Sequence, residues 1–144
     1  QGFGVRAPRV QGLQIVKPPY GRVTAIDMNT GDHLWMIANA DTPDNIKNHR
    51  LLEGVDIPRT GIPTRAGVLL TKELLFVAEG TGGVGASPIF RAVNKATGEI
   101  VAEIDLPANQ GGIPFTYEAD GKQYVAMFVT SGSSAAELVA YALP

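Results

Sequence analysis

Short apolar runs separated by turn residues account for most of this chain. In "GVLLTKELLFVAEG" the residues on either side of Lys72-Glu73 predict two antiparallel strands joined by a tight hairpin. "PFTYEADGKQYVAMFV" repeats that form around Asp120-Gly121, where glycine suits the positive φ of a hairpin turn. Successive side chains of a strand point to opposite faces, so such runs predict sheets with at least one buried face. The pattern predicts an all-β chain of short strands.

Two segments of the chain are near copies of one another, Thr24 to Ile37 and Arg91 to Ile104. Both fit Ala-x-Asp/Asn-x-x-Thr-Gly-Asp/Glu and are flanked by alternating apolar residues. The Thr-Gly pair supplies a hairpin turn in each copy. The copies differ where Trp35 of the first is matched by Ala102 of the second. A recurring hairpin of this kind is typical of repeat architectures.

The predicted strands group into antiparallel meanders of four, labelled A to D in chain order. Residues 21–37 supply strands C and D of one meander, 67–105 a complete set, and 114–142 strands A to C of another. Four-stranded meanders that recur every 40 to 50 residues or so are the pattern of β-propeller blades. The fold class is therefore all-β, a partial β-propeller, and residues 1–144 are treated as a single partial propeller domain.

Strand polarity places the long connections on one face of the predicted propeller. The A–B and C–D turns are short, whereas the B–C and D-to-A connections are long and include the segment 38–66. That segment is rich in Pro, Asn and Asp, and we expect a surface excursion with a short helical turn around 44–49. Binding chemistry usually lies where a rigid scaffold carries elaborated loops. The long-connection face is therefore the candidate site.

Composition narrows the classes of function. The 144 residues carry a formal net charge of −2 and are 44% hydrophobic and 18% charged. This balance is globular, and the absence of a basic excess argues against nucleic acid as the partner. No apolar run approaches the roughly 20 residues of a membrane span, so no transmembrane segment is expected. The chain has no Cys, which removes disulfides, thiolate zinc sites and cysteine nucleophiles.

The unit from Ala25 to Trp35, Ala-x-Asp-x-x-Thr-Gly-x-x-x-Trp, resembles the tryptophan-docking repeat of the quinoprotein dehydrogenases that use pyrroloquinoline quinone (PQQ). "KPPYGRVTAIDMNTGDHLW" and "PANQGGIPFTYEADGKQYVAMFV…ELVAYALP" resemble the membrane-bound glucose dehydrogenase-like branch of that family. The resemblance implies that the chain is the C-terminal portion of an eight-bladed propeller, about two and a half blades of it. It also implies that the tryptophan of one blade docks on its neighbour, so Trp35 and Ala102 mark docking positions.

The same resemblance implies a chemistry. Family enzymes oxidise an alcohol or sugar hydroxyl with PQQ as electron acceptor and a calcium ion beside the quinone, in the periplasm or outside the cell. Their catalytic base and metal ligands match no residue here, so we expect this chain to supply blades and the rim of the site and to be inactive in isolation. The cofactor-binding candidates lie on the long-connection face: Arg65, Gly80, Thr81, Thr130, Ser131 and Gly132.

The candidates differ in what supports them. Arg65 is expected to pair with a quinone carboxylate, since a guanidinium group matches that anion; the competing interpretation is a surface arginine that fixes segment 38–66. Gly80 and Thr81 match a family Gly-Thr pair, and the competing interpretation is a flexible loop. Thr130, Ser131 and Gly132 fall where the family has a glycine-rich loop. Partners are expected to be the remainder of the propeller or copies of the chain itself, through open sheet edges.

Two other functions remain open at this point. A non-catalytic propeller module would use the same repeat for self-association or assembly. A lectin-like propeller would show aromatic residues at its loop tips, and Tyr20 and Phe90 lie near such positions. His33 is expected to be exposed on its strand, and His49 has no second histidine at metal-ligand spacing. No nucleophile elbow is present, which argues against a serine hydrolase.

Overall fold

The computed structural model of the chain describes residues 8–64, 66–79, 88–131 and 135–142. Two short helical turns and twelve strands lie within these ranges. In chain order the elements are β1 (Arg9–Val10), β2 (Leu13–Gln14), β3 (Arg22–Ile26), β4 (His33–Ala38), α1 (Asp44–Lys47), a 3₁₀ turn (Arg50–Leu52), β5 (Val68–Leu70), β6 (Leu74–Ala78), β7 (Ile89–Asn94), β8 (Ile100–Asp105), β9 (Asn109–Gln110), β10 (Phe115–Ala119), β11 (Lys122–Thr130) and β12 (Glu137–Ala142).

All strand pairs among these residues are antiparallel. Strands β3 and β4 form the first hairpin, β5-β6-β7-β8 form the middle sheet in chain order, and β10-β11-β12 form the last sheet, where β9 also pairs with β11. Strands β1 and β2 form a separate short ribbon. The all-β expectation is confirmed, and the four-stranded meander of the middle sheet has the form of a propeller blade.

The turns take the backbone conformations that their residues favour. Gly31 and Gly98, the glycines of the repeated Thr-Gly pairs, have φ values of 81° and 78°. Asp120 and Gly121 both have positive φ, at 51° and 72°, which is the requirement of a two-residue type I′ hairpin. These local requirements explain why the hairpins fall where the sequence predicts them.

The main hydrophobic core lies between the middle sheet and the last sheet. Alternate residues of β6 and β7 point into it, and β11 supplies the opposing wall. Its buried members are Phe76, Ala78, Phe90, Ala92, Leu106, Val125, Met127 and Val129. The rings of Phe76 and Phe90 stack with centroids 5.6 Å apart. Phe90 is 3% exposed and its ring lies in this core, so it does not supply the exposed loop-tip aromatic that a lectin-like propeller would need.

Most of segment 38–66 is at least partly exposed, since Ile46 is the only buried residue from 43 to 59, whereas the residues at its two ends are buried. Ala40, Ile46 and Ile62 are buried. The two ends of the segment meet, since Ile62 N donates to Asn39 O at 2.8 Å and Asn39 N donates to Gly21 O at 2.9 Å. A side chain at Gly21 would overlap the backbone of Ile62, so the absence of a Cβ there permits this approach. The predicted helical turn is present as α1.

Candidate functional site

The ends of the strands bring several connections together on the long-connection face. Gln110, which is 5% exposed, lies between the middle and last sheets. Its Nε2 donates to Gly67 O at 3.1 Å and to Gly112 O at 2.5 Å. Gly67 leads into β5 and Gly112 precedes β10, so a single amide group ties together the starts of two adjacent sheets.

The backbone segments of this region pack closely together. A Cβ on Gly67 would lie 2.8 Å from Cγ1 of Ile113, and one on Gly111 would lie 3.0 Å from Cγ2 of Thr130. Gly111 N also donates to Phe128 O at 2.8 Å. The glycines of "NQGG" therefore allow the connection to lie flat against β11 and hold the end of that strand in place.

The structure describes two of the six cofactor-binding candidates. Thr130 ends β11 opposite Asn109 and is partly buried, and Ser131 follows it and is exposed. Both lie at the end of β11 on the long-connection face, next to the β9 connection that contains Gln110. Arg65, Gly80, Thr81 and Gly132 lie outside the described residues.

The donor set of this region suits a polar organic group better than a metal ion. The Oε1 of Gln110 is buried and has no hydrogen-bond partner among the described residues. An unpaired buried acceptor costs free energy unless a donor meets it, so the amide is suited to a ligand or a water that donates. Among the described residues, no group of three or more His, Asp or Glu side chains is placed to hold a metal. The calcium ligands implied by the family resemblance are not found in this part of the chain.

A buried ionic cluster lies at the other face of the middle sheet. The guanidinium group of Arg91, 2% exposed, contacts the carboxylate of Glu79 through Nη1 and donates from Nε to Glu103 Oε1 at 2.6 Å. Glu79 is 3% exposed and follows β6 directly, on the long-connection face. A second ion pair, Arg59 with Asp41 at 2.6 Å, belongs to segment 38–66.

Burial governs the ionisation of this cluster. Burial raises the pKa of Glu79, although the hydrogen bond and the charge of Arg91 oppose the rise. Burial alone would lower the pKa of Arg91, but its hydrogen bonds to Glu103 and Glu79 hold that pKa above its ordinary value. The cation is therefore retained, and Glu79 is the member whose charge depends on its partner.

Trp35 joins the first hairpin to the middle sheet. Its Nε1 donates to Lys95 O at 3.0 Å, and its ring lies over the glycine of the next Thr-Gly turn, where a Cβ on Gly98 would come within 2.8 Å of Cδ2 and Cε3. The indole thus contacts the backbone of the neighbouring repeat unit through one hydrogen bond and one apolar contact.

Ala102 holds the corresponding position in the middle sheet. It is paired with Ala92 across the β7–β8 ladder, as Trp35 is paired with Ala25 across β3–β4. Beside it lies a partly open cavity of about 260 Å³. The repeat therefore places an indole at one sheet boundary and open space at the next.

Sequence reasoning missed the roles of Gln110, Glu79 and Arg91. Arg91 stands alone among apolar residues in "IFRAVN", and a lone charge inside a buried strand is a signal for a buried partner. Gln110 offers a weaker signal, since an amide in a glycine-rich connection is common. The two histidines have local roles: His33 is exposed, and His49 accepts from Leu51 N through Nδ1 and lies 2.9 Å from Gln11 O through Nε2.

No helix in the described ranges has the length and apolar character needed to cross a bilayer.

Comparison with known proteins identifies several similar dehydrogenases. The chain is 30% identical over 149 residues to the quinoprotein glucose dehydrogenase of Gluconobacter oxydans (strain 621H), covering 99% of the chain. It is 34% identical over 145 residues to the glycerol dehydrogenase large subunit of Gluconobacter thailandicus and 32% identical over 143 residues to a probable quinate dehydrogenase (quinone) of Xanthomonas campestris pv. juglandis, in each case over 92% of the chain.

These matches cover a small share of each relative, 17%, 18% and 17% of their lengths respectively. The family model for the PQQ glucose/ethanol/alcohol dehydrogenase β-propeller domain matches residues 5–125. That match includes the first hairpin, the middle sheet and the Gln110 connection described above. The chain therefore belongs to the PQQ-dependent glucose/ethanol/alcohol dehydrogenase β-propeller family.

Proposed function

We propose that this chain is the C-terminal part of a quinoprotein dehydrogenase that oxidises an alcohol or sugar hydroxyl with PQQ as electron acceptor. The observation that carries the proposal is the family match over residues 5–125, joined to similarity with dehydrogenases of glucose, glycerol and quinate. All three of those names denote oxidation of a hydroxyl-bearing substrate. The proposed cellular location of the protein is the periplasm or the outside of the cell.

The contribution of this chain is a rigid part of the site rim. Gln110 fixes the starts of the middle and last sheets relative to one another, and its Oε1 is an acceptor without a partner among the described residues. Thr130 and Ser131 bring hydroxyl groups to the same edge. The hydroxyl groups can donate to the carbonyl oxygens of a planar quinone, which when bound takes up the two electrons removed from the substrate. Arg65, Gly80, Thr81 and Gly132 remain proposed cofactor-binding residues.

The catalytic base and the calcium ligands are proposed to come from the rest of the propeller. The described residues supply no group of carboxylates suited to calcium, which prefers six to eight oxygen ligands. By this proposal the chain alone is inactive, and activity requires the complete assembly.

The outer faces of the first hairpin and of the last sheet support that view. Ile26, Leu34 and Met36 are 46%, 59% and 47% exposed on one of them. Phe115, Tyr117, Phe128 and Leu138 are at least 41% exposed on the other. Apolar residues grouped on one face of a strand pair are normally covered in a finished sheet packing. We propose the remaining propeller blades as the covering partner.

The test is made on the native assembly that contains this chain. We expect a larger propeller with bound quinone absorbance, calcium, and dye-coupled oxidation of a panel of sugars and polyols. Gln110→Ala should weaken quinone binding about tenfold by removing both backbone ties. Gln123→Ala is the matched control, because Gln123 lies on the exposed part of β11 and bonds Thr116 Oγ1.

The competing function is a non-catalytic module that associates through its apolar faces. The aromatic side chains on the last sheet favour it, since Tyr117 and Tyr124 stack with centroids 5.1 Å apart on a partly exposed surface. A homo-oligomer free of quinone and calcium, and inert toward the whole panel, would overturn the enzyme proposal and leave the module.

A further inference from the structure

The cavity beside Ala102 has no role in the function proposed above. It lies between the middle and last sheets and has a volume of about 260 Å³. Phe76, Phe90, Val125 and Tyr141 are among the residues that line it. The lining is almost entirely apolar, and the stacked pair of Phe76 and Phe90 forms one wall.

Its position separates it from the candidate quinone site. Leu74 and Ala142, which also line it, lie next to the tight-turn side of their sheets: Leu74 begins β6 after the Lys72-Glu73 turn, and Ala142 pairs with Tyr124 near the Asp120-Gly121 turn. Gln110 and Thr130 lie at the opposite ends of the strands. Phe90 and Ile104, near the long-connection ends of β7 and β8, also line the cavity, so it runs along the sheet boundary without including Gln110 or Thr130.

The repeat indicates what shape the cavity fits. Ala102 stands at the position that Trp35 occupies in the first copy, and both residues face the next sheet from the same place in the hairpin ladder. At the first boundary an indole fills the space between neighbouring units and covers Gly98. At the second boundary the corresponding residue is Ala102, and the cavity lies beside its methyl group.

We propose that this cavity binds a small, neutral, planar aromatic molecule of about the size of indole. A ring inserted there would contact the Phe76–Phe90 pair and Val125, with the Tyr141 hydroxyl as the polar neighbour. Apolar cavities of ~150 Å³ left by removal of a side chain bind benzene, so a larger one suits a bicyclic ring. The apolar lining favours an uncharged ligand, because a charge buried there would lose its hydration without gaining a partner.

Affinity is expected to be modest. The ligand gains apolar contact and loses translational freedom, and for a ring of this size the balance corresponds to a dissociation constant on the order of 1 mM or tighter. A carboxylated ring should bind at least tenfold more weakly, because burying a charge beside apolar groups carries a desolvation cost.

The experiment uses the 144-residue chain, with indole and indole-3-carboxylate as probes and saturation-transfer NMR and calorimetry as readouts. We expect saturable binding of indole and at least tenfold weaker binding of the carboxylate. Ala102→Trp should abolish binding by filling the space. Ala140→Trp is the matched control, because Ala140 is exposed, does not line the cavity and should leave affinity within twofold.

A substitution with a smaller side chain tests whether loss of binding reflects a filled cavity rather than misfolding. Ala102→Leu fills part of the same space and should weaken indole binding severalfold while far-ultraviolet circular dichroism stays unchanged. Absence of saturable binding to the wild-type chain would overturn the proposal. Binding that survives unchanged in Ala102→Trp, or that is equal for indole and its carboxylate, would place the ligand elsewhere and overturn it as well.

Discussion

The two faces of the middle sheet meet their neighbours by different physical means. Toward the last sheet, Phe76 and Phe90 contribute to an apolar core with the cavity of Ala102 beside it. The other set of alternating residues on the same strands includes Arg91 and Glu79, which form a buried ionic cluster. The first hairpin meets this sheet through the Trp35 dock. The middle sheet therefore meets the first hairpin through a contact that includes a hydrogen bond, and it meets the last sheet through apolar contacts.

The difference shows what a repeat conserves in its geometry and what it leaves free. Both copies keep the hairpin, the positive-φ glycine and the β-bulge that shifts the register near the turn. The side chains at the boundaries are set separately. Hydrogen bonds and ion pairs demand one register, since a displaced donor or charge loses its partner, whereas apolar contact tolerates small shifts. The Trp35 contacts thus align the first hairpin with the middle sheet, whereas the Arg91 contacts join the strands of the middle sheet to one another.

The largest effect is expected from Arg91→Met. The change leaves Glu79 buried without its cation and should cost about 3–5 kcal/mol of unfolding free energy at neutral pH. Burial already raises the pKa of Glu79, and loss of Arg91 raises it further. A carboxyl group with a raised folded-state pKa favours folding below its unfolded pKa of about 4.3 and loses that contribution as pH rises through the folded value. The variant's deficit should therefore be larger at pH 7.5 than at pH 5, as measured by urea unfolding.

The control for that variant is the double change Arg91→Met and Glu79→Gln. Removing the unpaired carboxylate should recover at least half of the lost stability and most of the pH dependence. An equal deficit at the two pH values would show that lost packing, rather than charge, stabilises this boundary.

Trp35→Ala should have the next largest effect, at about 2–4 kcal/mol. The variant loses ring contact with the Gly98 turn and the hydrogen bond to Lys95 O, and Trp35 is only partly buried. Trp35→Phe keeps a ring and should cost about 1 kcal/mol for the hydrogen bond. An unchanged melting temperature for Trp35→Ala would contradict the docking role.

A pair of glycines isolates the ring contact. Gly98 and Gly31 have nearly equal φ values, 78° and 81°, so alanine at either carries a similar backbone penalty of about 1 kcal/mol. A Cβ at Gly98 meets the Trp35 ring at 2.8 Å, whereas one at Gly31 meets nothing within 4 Å. Gly98→Ala should therefore be the more destabilising by about 1–2 kcal/mol in thermal unfolding. Equal costs would mean that the ring moves away freely.

The smallest effect is expected from Ala102→Trp, a gain of up to about 1 kcal/mol. The indole would occupy the cavity and bury apolar surface, and the partial opening limits the gain because some of the ring stays in water. The measurement is the melting temperature of the chain at fixed concentration, compared with Ala140→Trp. A loss of stability in Ala102→Trp alone would show that the two sheets cannot accept a docked ring at their boundary.

Local requirements explain which features the sequence predicts well. Asp120-Gly121 and the Thr-Gly pairs predict hairpins because few residues other than glycine, asparagine and aspartate adopt the positive φ values of such turns. Strand alternation then identifies the sheets. The candidate site is less predictable: Gln110 acts through carbonyl groups of Gly67 and Gly112, and its partnership with Gly67 depends on how two sheets pack. The burial of Phe90 is likewise decided by the packing of two sheets and not by its position near a loop.

The buried base of segment 38–66 was not predicted, because its burial depends on contacts distant in sequence. A stretch rich in Pro, Asn and Asp has the composition of an exposed loop, and nothing local shows that Ile46 and Ile62 are buried. The approach of Gly61 to the carbonyl oxygens of Gly21 and Asn39 becomes meaningful only once the fold brings them together.

The closed base of that segment has a consequence for evolution. Because Ile62 and Asn39 are hydrogen-bonded neighbours, the chain leaves the first hairpin and returns to almost the same point before it enters the middle sheet. Residues between them can be lengthened, shortened or exchanged at a cost that grows only slowly with loop length, while the sheets remain in register. The hydrogen bonds of Asn39 to Gly21 and Ile62 thus allow the loop between residues 39 and 62 to change in sequence or length while the strands on either side keep their positions.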